Sequence, residues 1–176
     1  MTQEDLSSLL SGIGLSVSAL ALAIAFWTLK ADHERRKKQA TIEYANQIRE
    51  IWQKSKTIIE QALNKTVSRG SPISQKETTI IENTPELLTA SMEILARLEH
   101  LAVGVNAGVF DASILYRMSG SHLIGIYDYM LEYIKMTRET PDNEFAYIEF
   151  GMLAEEFKRL KTVSRDPRKF GHVRLS

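Results

Sequence analysis

A glutamate and a histidine side by side, followed by a glycine-punctuated stretch, form the sharpest local feature of this chain: L-E-H-L-A-V-G-V-N-A-G over Leu98–Gly108. Glu99 and His100 are residue types that serve as a general base or a metal ligand. Adjacent residues point to different faces of a helix, however, and helical metal pairs use spacings of three or four. His33, His100, His122 and His172 show no such spacing, and no Ser-His-Asp arrangement can be traced. Gly104 and Gly108 lack the following Lys-Ser or Lys-Thr and the preceding strand of a phosphate-cradling loop. An enzyme of unrecognised type would need a pocket lined by Glu99, His100 and Arg117 or Arg138. The other reading is a helix–helix turn. Glu99 lies nine residues before Gly108 and Arg117 nine after it, so a hairpin sets Glu99 and Arg117 at similar height as a structural polar pair. No catalytic, cofactor or metal residue is predicted, and the chain does not read as an enzyme.

The elements that would position these residues follow from composition and periodicity. A length of 176 residues leaves room for one domain plus an anchor, and 44% hydrophobic with 25% charged residues is enough to bury a core. Lys plus Arg equals Asp plus Glu at 22 each, so net charge alone calls for no polyanionic partner. Without cysteine there is no disulfide framework, thiolate catalysis or Cys-type zinc site.

Leu6–Leu29 is 24 residues without a charge. As a helix it reaches roughly 36 Å, enough for a hydrocarbon core of about 30 Å with some tilt. A cleaved secretory signal needs positive charge before the apolar run. Here Glu4 and Asp5 precede it, and Lys30, Arg35, Arg36, Lys37 and Lys38 follow it. The segment is therefore predicted to be a single transmembrane helix. Flanking basic residues stay on the cytoplasmic side, which sets the N-terminus outside a bacterial inner membrane and the body in the cytoplasm. Trp27 sits at the level where aromatic rings favour headgroups. Ser7, Ser11, Gly14, Ser18, Ala21, Ala25 and Thr28 recur at spacings of four and three on one face. Small residues so arranged let two helices pack closely, so Gly14, Ser18, Ala21 and Ala25 are expected to mediate self-association. Gly12, Ser16, Ala19 and Ala23 form a second small face, the mark of mere composition.

Lys30–Lys38 carries five basic and two acidic residues, as a topology determinant or a contact for anionic lipid. From Gln39 to Lys65 there is no Gly or Pro. Thr41, Ala45, Ile48, Trp52, Ser55, Ile59 and Ala62 make a helical stripe, so residues 30–66 form a basic juxtamembrane and amphipathic helix. Ser68–Ser74 is a loop, and Gln75–Asn83 a short helix. Thr84 as N-cap and Pro85 at the first position open a helix that ends between Gly104 and Gly108. Asp111 caps the next, which runs to Arg138 and is weakened at Ser119-Gly120-Ser121. After Pro141, Asp142 or Asn143 caps a last helix to Lys161, with Phe145, Ile148, Met152, Leu153, Phe157 and Leu160 facing inward. The fold class is all-α: a transmembrane helix at 6–29, then an antiparallel bundle of about four helices, with residues 75–161 as its main body.

Asp128–Glu156 holds eight acidic and two basic residues. Lys158–Ser176 holds seven basic and one acidic. Such a tail, residues 162–176 of it beyond the last helix, binds nucleic acid, anionic lipid or an acidic partner, folds back on the acidic helices, or stays solvated.

The block at Leu98–Gly108, V-F-D at Val109–Asp111, Y-I-K-M-T-R at Tyr133–Arg138 and A-Y-I-E-F at Ala146–Phe150 together resemble a bacterial and phage family of membrane-anchored domains of unknown function, over roughly residues 10–160. The resemblance implies this topology, a helical body and no known chemistry, and associates such proteins with phage or anti-phage systems. The expected function is a membrane-tethered helical interaction or effector module, oligomeric, with the lipid bilayer, a second copy and a cytoplasmic protein as partners. The alternative is a membrane-held nucleic-acid-binding protein that uses the C-terminal tail. Protease added to intact spheroplasts should spare the body; digestion of the body from the outer face would reverse the assigned orientation.

Overall fold

Apolar residues at helical spacing, with Gly and Pro confined to a few punctuation points, favour long helices. The structure, a computed structural model, describes the backbone of residues 3–65 and 71–163, and their side chains except at 3–16, 19 and 163. Five helices follow in order: α1 (Gln3–Leu63), α2 (Gln75–Asn83), α3 (Pro85–Asn106), α4 (Ala112–Glu139) and α5 (Ile148–Val163). Among the described residues there is no strand, so the all-α reading holds. The chain divides into two compact units, Met1–Gln39 and Ala40–Ser176.

Among the described residues no helix is long and apolar enough to cross a membrane. Leu6–Ser16 and Ala19, half of the 24-residue apolar run, lie outside the described side chains. The uninterrupted remainder, Leu20–Leu29, reaches only about 15 Å as a helix. The backbone is helical from Gln3 onward through the whole run. The tail expected at 162–176 lies outside the described residues from 164 on.

In the second unit, α1 buries the stripe predicted for it: Thr41, Ala45, Ile48, Trp52, Ser55 and Ile59 are all buried, while Ala62 is exposed. The two polar members are satisfied in different ways. Thr41 Oγ1 accepts from the Asp111 N–H at 2.8 Å, and Ser55 Oγ donates to the Ala90 carbonyl at 3.3 Å. Trp52 meets the rings of His122 and Tyr129 edge-on. Left-handed Asn64 ends α1, with the Lys65 N–H returning to the Glu60 carbonyl.

Ser74 and Glu77 form a capping box at the start of α2, and Lys65 Nζ pairs with Glu77 at 3.0 Å. Burial opposes ionisation of Glu77, but the Ser74 and Lys65 hydrogen bonds outweigh it and hold its pKa below 4.5. Thr84 joins α2 to α3. Its side chain makes no cap bond, contrary to expectation; its N–H donates to the Ile81 carbonyl instead, and Pro85 at the first position has no N–H to satisfy.

The α3–α4 turn accounts for the glycines of the sharpest motif. Gly108 has φ of 75°; its N–H returns to the Val105 carbonyl, and the Val109 N–H to that of Gly104, a Schellman arrangement. A Cβ on Gly104 would lie 2.4 Å from the Phe110 ring, so glycine there admits a close contact. Phe110 in turn stacks on Tyr44 of α1 at 5.1 Å. Asp111 caps α4 as predicted, accepting from the Ile114 N–H at 3.0 Å. The expected weakness at Ser119-Gly120-Ser121 does not break α4, where Ser119 and Gly120 are buried and Tyr116 covers the glycine.

The last helix departs from the prediction. α5 starts at Ile148, with four residues of turn before it, and Asp142 and Asn143 do not cap it. Its buried face is Phe150, Leu153, Ala154, Phe157 and Leu160, while Phe145, Ile148 and Met152 are exposed. Phe150 packs on Tyr127 and Phe157 on Tyr116, so α5 runs antiparallel to α4.

Tyr129 and Tyr133 are buried on α4. Burial first, then the negative charges of Glu77 and Glu60, pushes Tyr129 up to about 12; burial first, then Tyr147, does the same for Tyr133. Both phenols stay neutral in the folded state after the unfolded chain has begun to ionise near 10, so stability they confer is complete below pH 10 and is lost as pH rises toward 12. Chemical denaturation of the Ala40–Ser176 unit should show a midpoint that falls over this range, by at most about 3 kcal/mol for each phenol. Tyr129→Phe with Tyr133→Phe should flatten that limb, and an unchanged limb would show that other groups set it.

Candidate functional site

Two regions of the chain hold the residues singled out from sequence, one in each unit. In the first unit, Val17, Leu20, Leu22, Ile24, Phe26, Trp27 and Leu29 are all exposed, at 58–71%. At about 100° per residue these large side chains stand in two groups around the helix, separated by gaps of about 120° and about 100°. Ser18, Ala21, Ala25 and Thr28 fill the wider gap, and all four are exposed too. Gly14 belongs to the same arc by its spacing but lies outside the described side chains. Thr28 Oγ1 donates to the Ile24 carbonyl at 2.8 Å, so its hydroxyl is satisfied within the helix. Lys30 Nζ sits 6.0 Å from the Trp27 ring centroid. Arg36 pairs with Asp32 at 2.7 Å, Arg35 and Lys38 are exposed, and Lys37 is half-buried.

In the second unit, the pair expected between Glu99 and Arg117 is not formed. Arg117 is exposed, and both Glu99 oxygens are committed elsewhere. Glu99 Oε1 accepts from the Glu149 N–H at 3.1 Å and Oε2 from the Phe150 N–H at 2.8 Å. These are amides of the first turn of α5, which lack partners within the helix. The residue before α5, Tyr147, has φ of 57° and offers no capping oxygen, so the carboxylate comes from α3 instead. Negative charge at a helix N-terminus is favoured, and a charged acceptor strengthens both bonds. Asn106 Nδ2 donates to the Glu149 carboxylate beside it.

Arg138, at the end of α4, holds the other side of the same connection. Its Nε donates to the Ala146 carbonyl at 2.8 Å and a terminal nitrogen to the Tyr147 carbonyl at 3.0 Å. The three sequence blocks around Glu99, Arg138 and Ala146–Phe150 therefore meet at one point, where an acid serves the amides and a base serves the carbonyls of the turn into α5. Burial, then the Glu99 charge, raises the Tyr147 pKa. Sequence reasoning found Glu99 but not its partners, because backbone amides carry no residue signature.

This clasp has no reactive group left over. Both Glu99 oxygens are occupied, and His100 beside it is exposed. Among the described residues no group of three acids or histidines is placed to hold a metal ion. An open groove of about 540 Å³ lies between α1 and the start of α3, lined by Ile51, Lys54, Ile58, Pro85, Glu86 and Glu93 among others. Ser55 on its wall already donates to the Ala90 carbonyl, and no base is hydrogen-bonded to it.

A family model described as a domain of unknown function (DUF4760) matches residues 15–157, and the chain belongs to that family. No curated protein and no solved structure matches it. The matched span takes in both the clasp and the exposed apolar segment.

Glu99→Ala strips the α5 amides of their acceptor and should lower the stability of the Ala40–Ser176 unit by about 2–3 kcal/mol. Glu99→Gln, which keeps one acceptor oxygen and loses the charge, should cost roughly half as much. Denaturant midpoints decide this. Equal, near-zero losses for both would mean that α5 does not depend on the clasp.

Proposed function

We propose that this member of the family is a membrane-tethered helical interaction module, anchored by Leu6–Leu29 with its body on the cytoplasmic side of a bacterial inner membrane, and self-associating through Gly14, Ser18, Ala21 and Ala25. The observation that carries the reading is the exposure of large apolar side chains around most of the helix from Val17 to Leu29. Transferring each from water to an apolar medium gains roughly 1.5–3 kcal/mol, on the order of 10 kcal/mol or more for the seven. Lipid supplies such a medium on every side at once. The charge-free stretch continues to Leu6, which brings the helix to bilayer length.

Two further features agree with an anchor. Thr28 satisfies its own hydroxyl, as a side chain in hydrocarbon must. Trp27 and Lys30 stand at the boundary between the apolar run and the basic cluster, where rings and ammonium groups meet headgroups. No large side chain projects from the small-residue arc, so a second helix can approach closely there. The cytoplasmic partner, in the phage or anti-phage setting that the resemblance implies, would meet the body.

Replacing Gly14 and Ser18 with Leu puts bulk on that arc. Crosslinking in native membranes should fall several-fold relative to the wild type. A double Leu variant that crosslinks as fully as the wild type would rule out this face as the interface. Recovery of the wild-type chain in the soluble fraction after lysis would remove the anchor itself.

A further inference from the structure

α5 is apolar on two sides. One side is the core face; the other is a stripe of Phe145, Ile148 and Met152, exposed at 76%, 38% and 58%. Ile148 and Met152 are one turn apart on α5, and Phe145 lies in the turn just before it, its carbonyl accepting from the Ile148 N–H. Val103, exposed at 46%, adjoins it, because it lies on α3 between Glu99 and Asn106, and both of those residues bond to the first turn of α5. Pro141–Glu156 around the stripe holds five acidic and no basic residues. Of these, Asp142, Glu144 and Glu155 are exposed.

The charge decides between occupants. Lys158 pairs with Glu155 and Arg159 with Glu156, but a second copy of the same face would still set Asp142, Glu144 and Glu149 against their counterparts, and an anionic lipid surface would be repelled as well. The fitting occupant is basic and apolar at once. Arg165–Ser176 has that composition: Arg165, Arg168, Lys169 and Arg174 against one acid, with Phe170, Val173 and Leu175. This segment lies outside the described residues and follows α5 directly. Met152 is eleven residues back from Val163, about 16 Å along the helix. Phe170 is seven residues beyond Val163 and reaches about 23 Å when extended. Phe170, Val173 and Leu175 can all return to the stripe.

We propose that the Phe145–Ile148–Met152 stripe with its acidic rim is a docking surface for a basic, apolar segment, and that its occupant is the chain's own Arg165–Ser176. This stands whether or not the N-terminal helix is an anchor.

The absence of cysteine makes the test direct. Spin labels are placed on the full chain through Thr140→Cys, exposed and off the stripe, and Ser176→Cys. The expected result is a short, narrow distance at low salt that is lost at high salt, in Met152→Asp and in Arg168→Glu with Lys169→Glu. A broad distribution that neither salt nor these substitutions alters would overturn the proposal. So would a short distance that vanishes when labelled chains are diluted with unlabelled ones, since the occupant would then be the tail of a neighbouring copy.

Discussion

The carboxylate of Glu99 on the first turn of α5 is the interaction on which the closure of the helical body depends. α5 has 16 residues, too few to persist in water by propensity alone, and its leading residue Tyr147 is left-handed and cannot cap it. The two amides that have no intrahelical acceptor donate instead to an acid reached across from α3. Arg138 fixes the carbonyls just before them. The two charges thus do not neutralise each other directly; each is spent on the backbone of the same turn. With the first turn placed, Phe150, Leu153, Phe157 and Leu160 fall on the core. Gly151 lets the helix approach α4 there, since a Cβ would already be 3.4 Å from the Tyr127 hydroxyl.

How far the sequence could be read follows from whether each constraint is local. α3 and α4 begin where Pro85 and Asp111 say they should, because such signals act within a turn of themselves, although the Thr84 side chain expected to cap α3 makes no bond. The stripe on α1 is a pure matter of period, and only Ala62 departs from it. α5 was misplaced because its cap lies 50 residues away in the chain, while Asp142 and Asn143 offered plausible local ones. The error in its start also put Phe145, Ile148 and Met152 on the wrong side. Glu99 was legible as a residue of consequence from its place in the motif. The hairpin argument that paired it with Arg117 used height alone and ignored which way each side chain faces.

The glycines of the same motif illustrate a related point. Gly104 and Gly108 look from sequence like parts of a loop that holds something. Gly108 is required by the left-handed turn and Gly104 by the Phe110 ring lying on it. Phe110 then carries Tyr44, and the Asp111 N–H donates to Thr41, so the α3–α4 turn is also where α1 joins the body. A motif that reads as chemistry is here a dense piece of packing.

A net charge of zero conceals how unevenly the charges are distributed. Basic residues crowd Lys30–Lys38 and the stretch after Lys158, and acids crowd Asp128–Glu156 between them. Pairing within the acidic region takes up only part of it: Lys158 reaches Asp128 and Glu155, and Arg159 reaches Glu156. Exposed pairs of this kind contribute little to stability, so they do not explain why the acids are there. Asp142 and Glu144 remain beside the apolar residues at the start of α5, where like charges repel copies of the same face and opposite charge attracts a basic strand. A row of large apolar residues left in water costs free energy unless something covers it, and the acidic rim narrows what that something can be. The basic, apolar residues immediately after α5 meet both requirements with no second molecule, at the small entropic cost of closing a short loop.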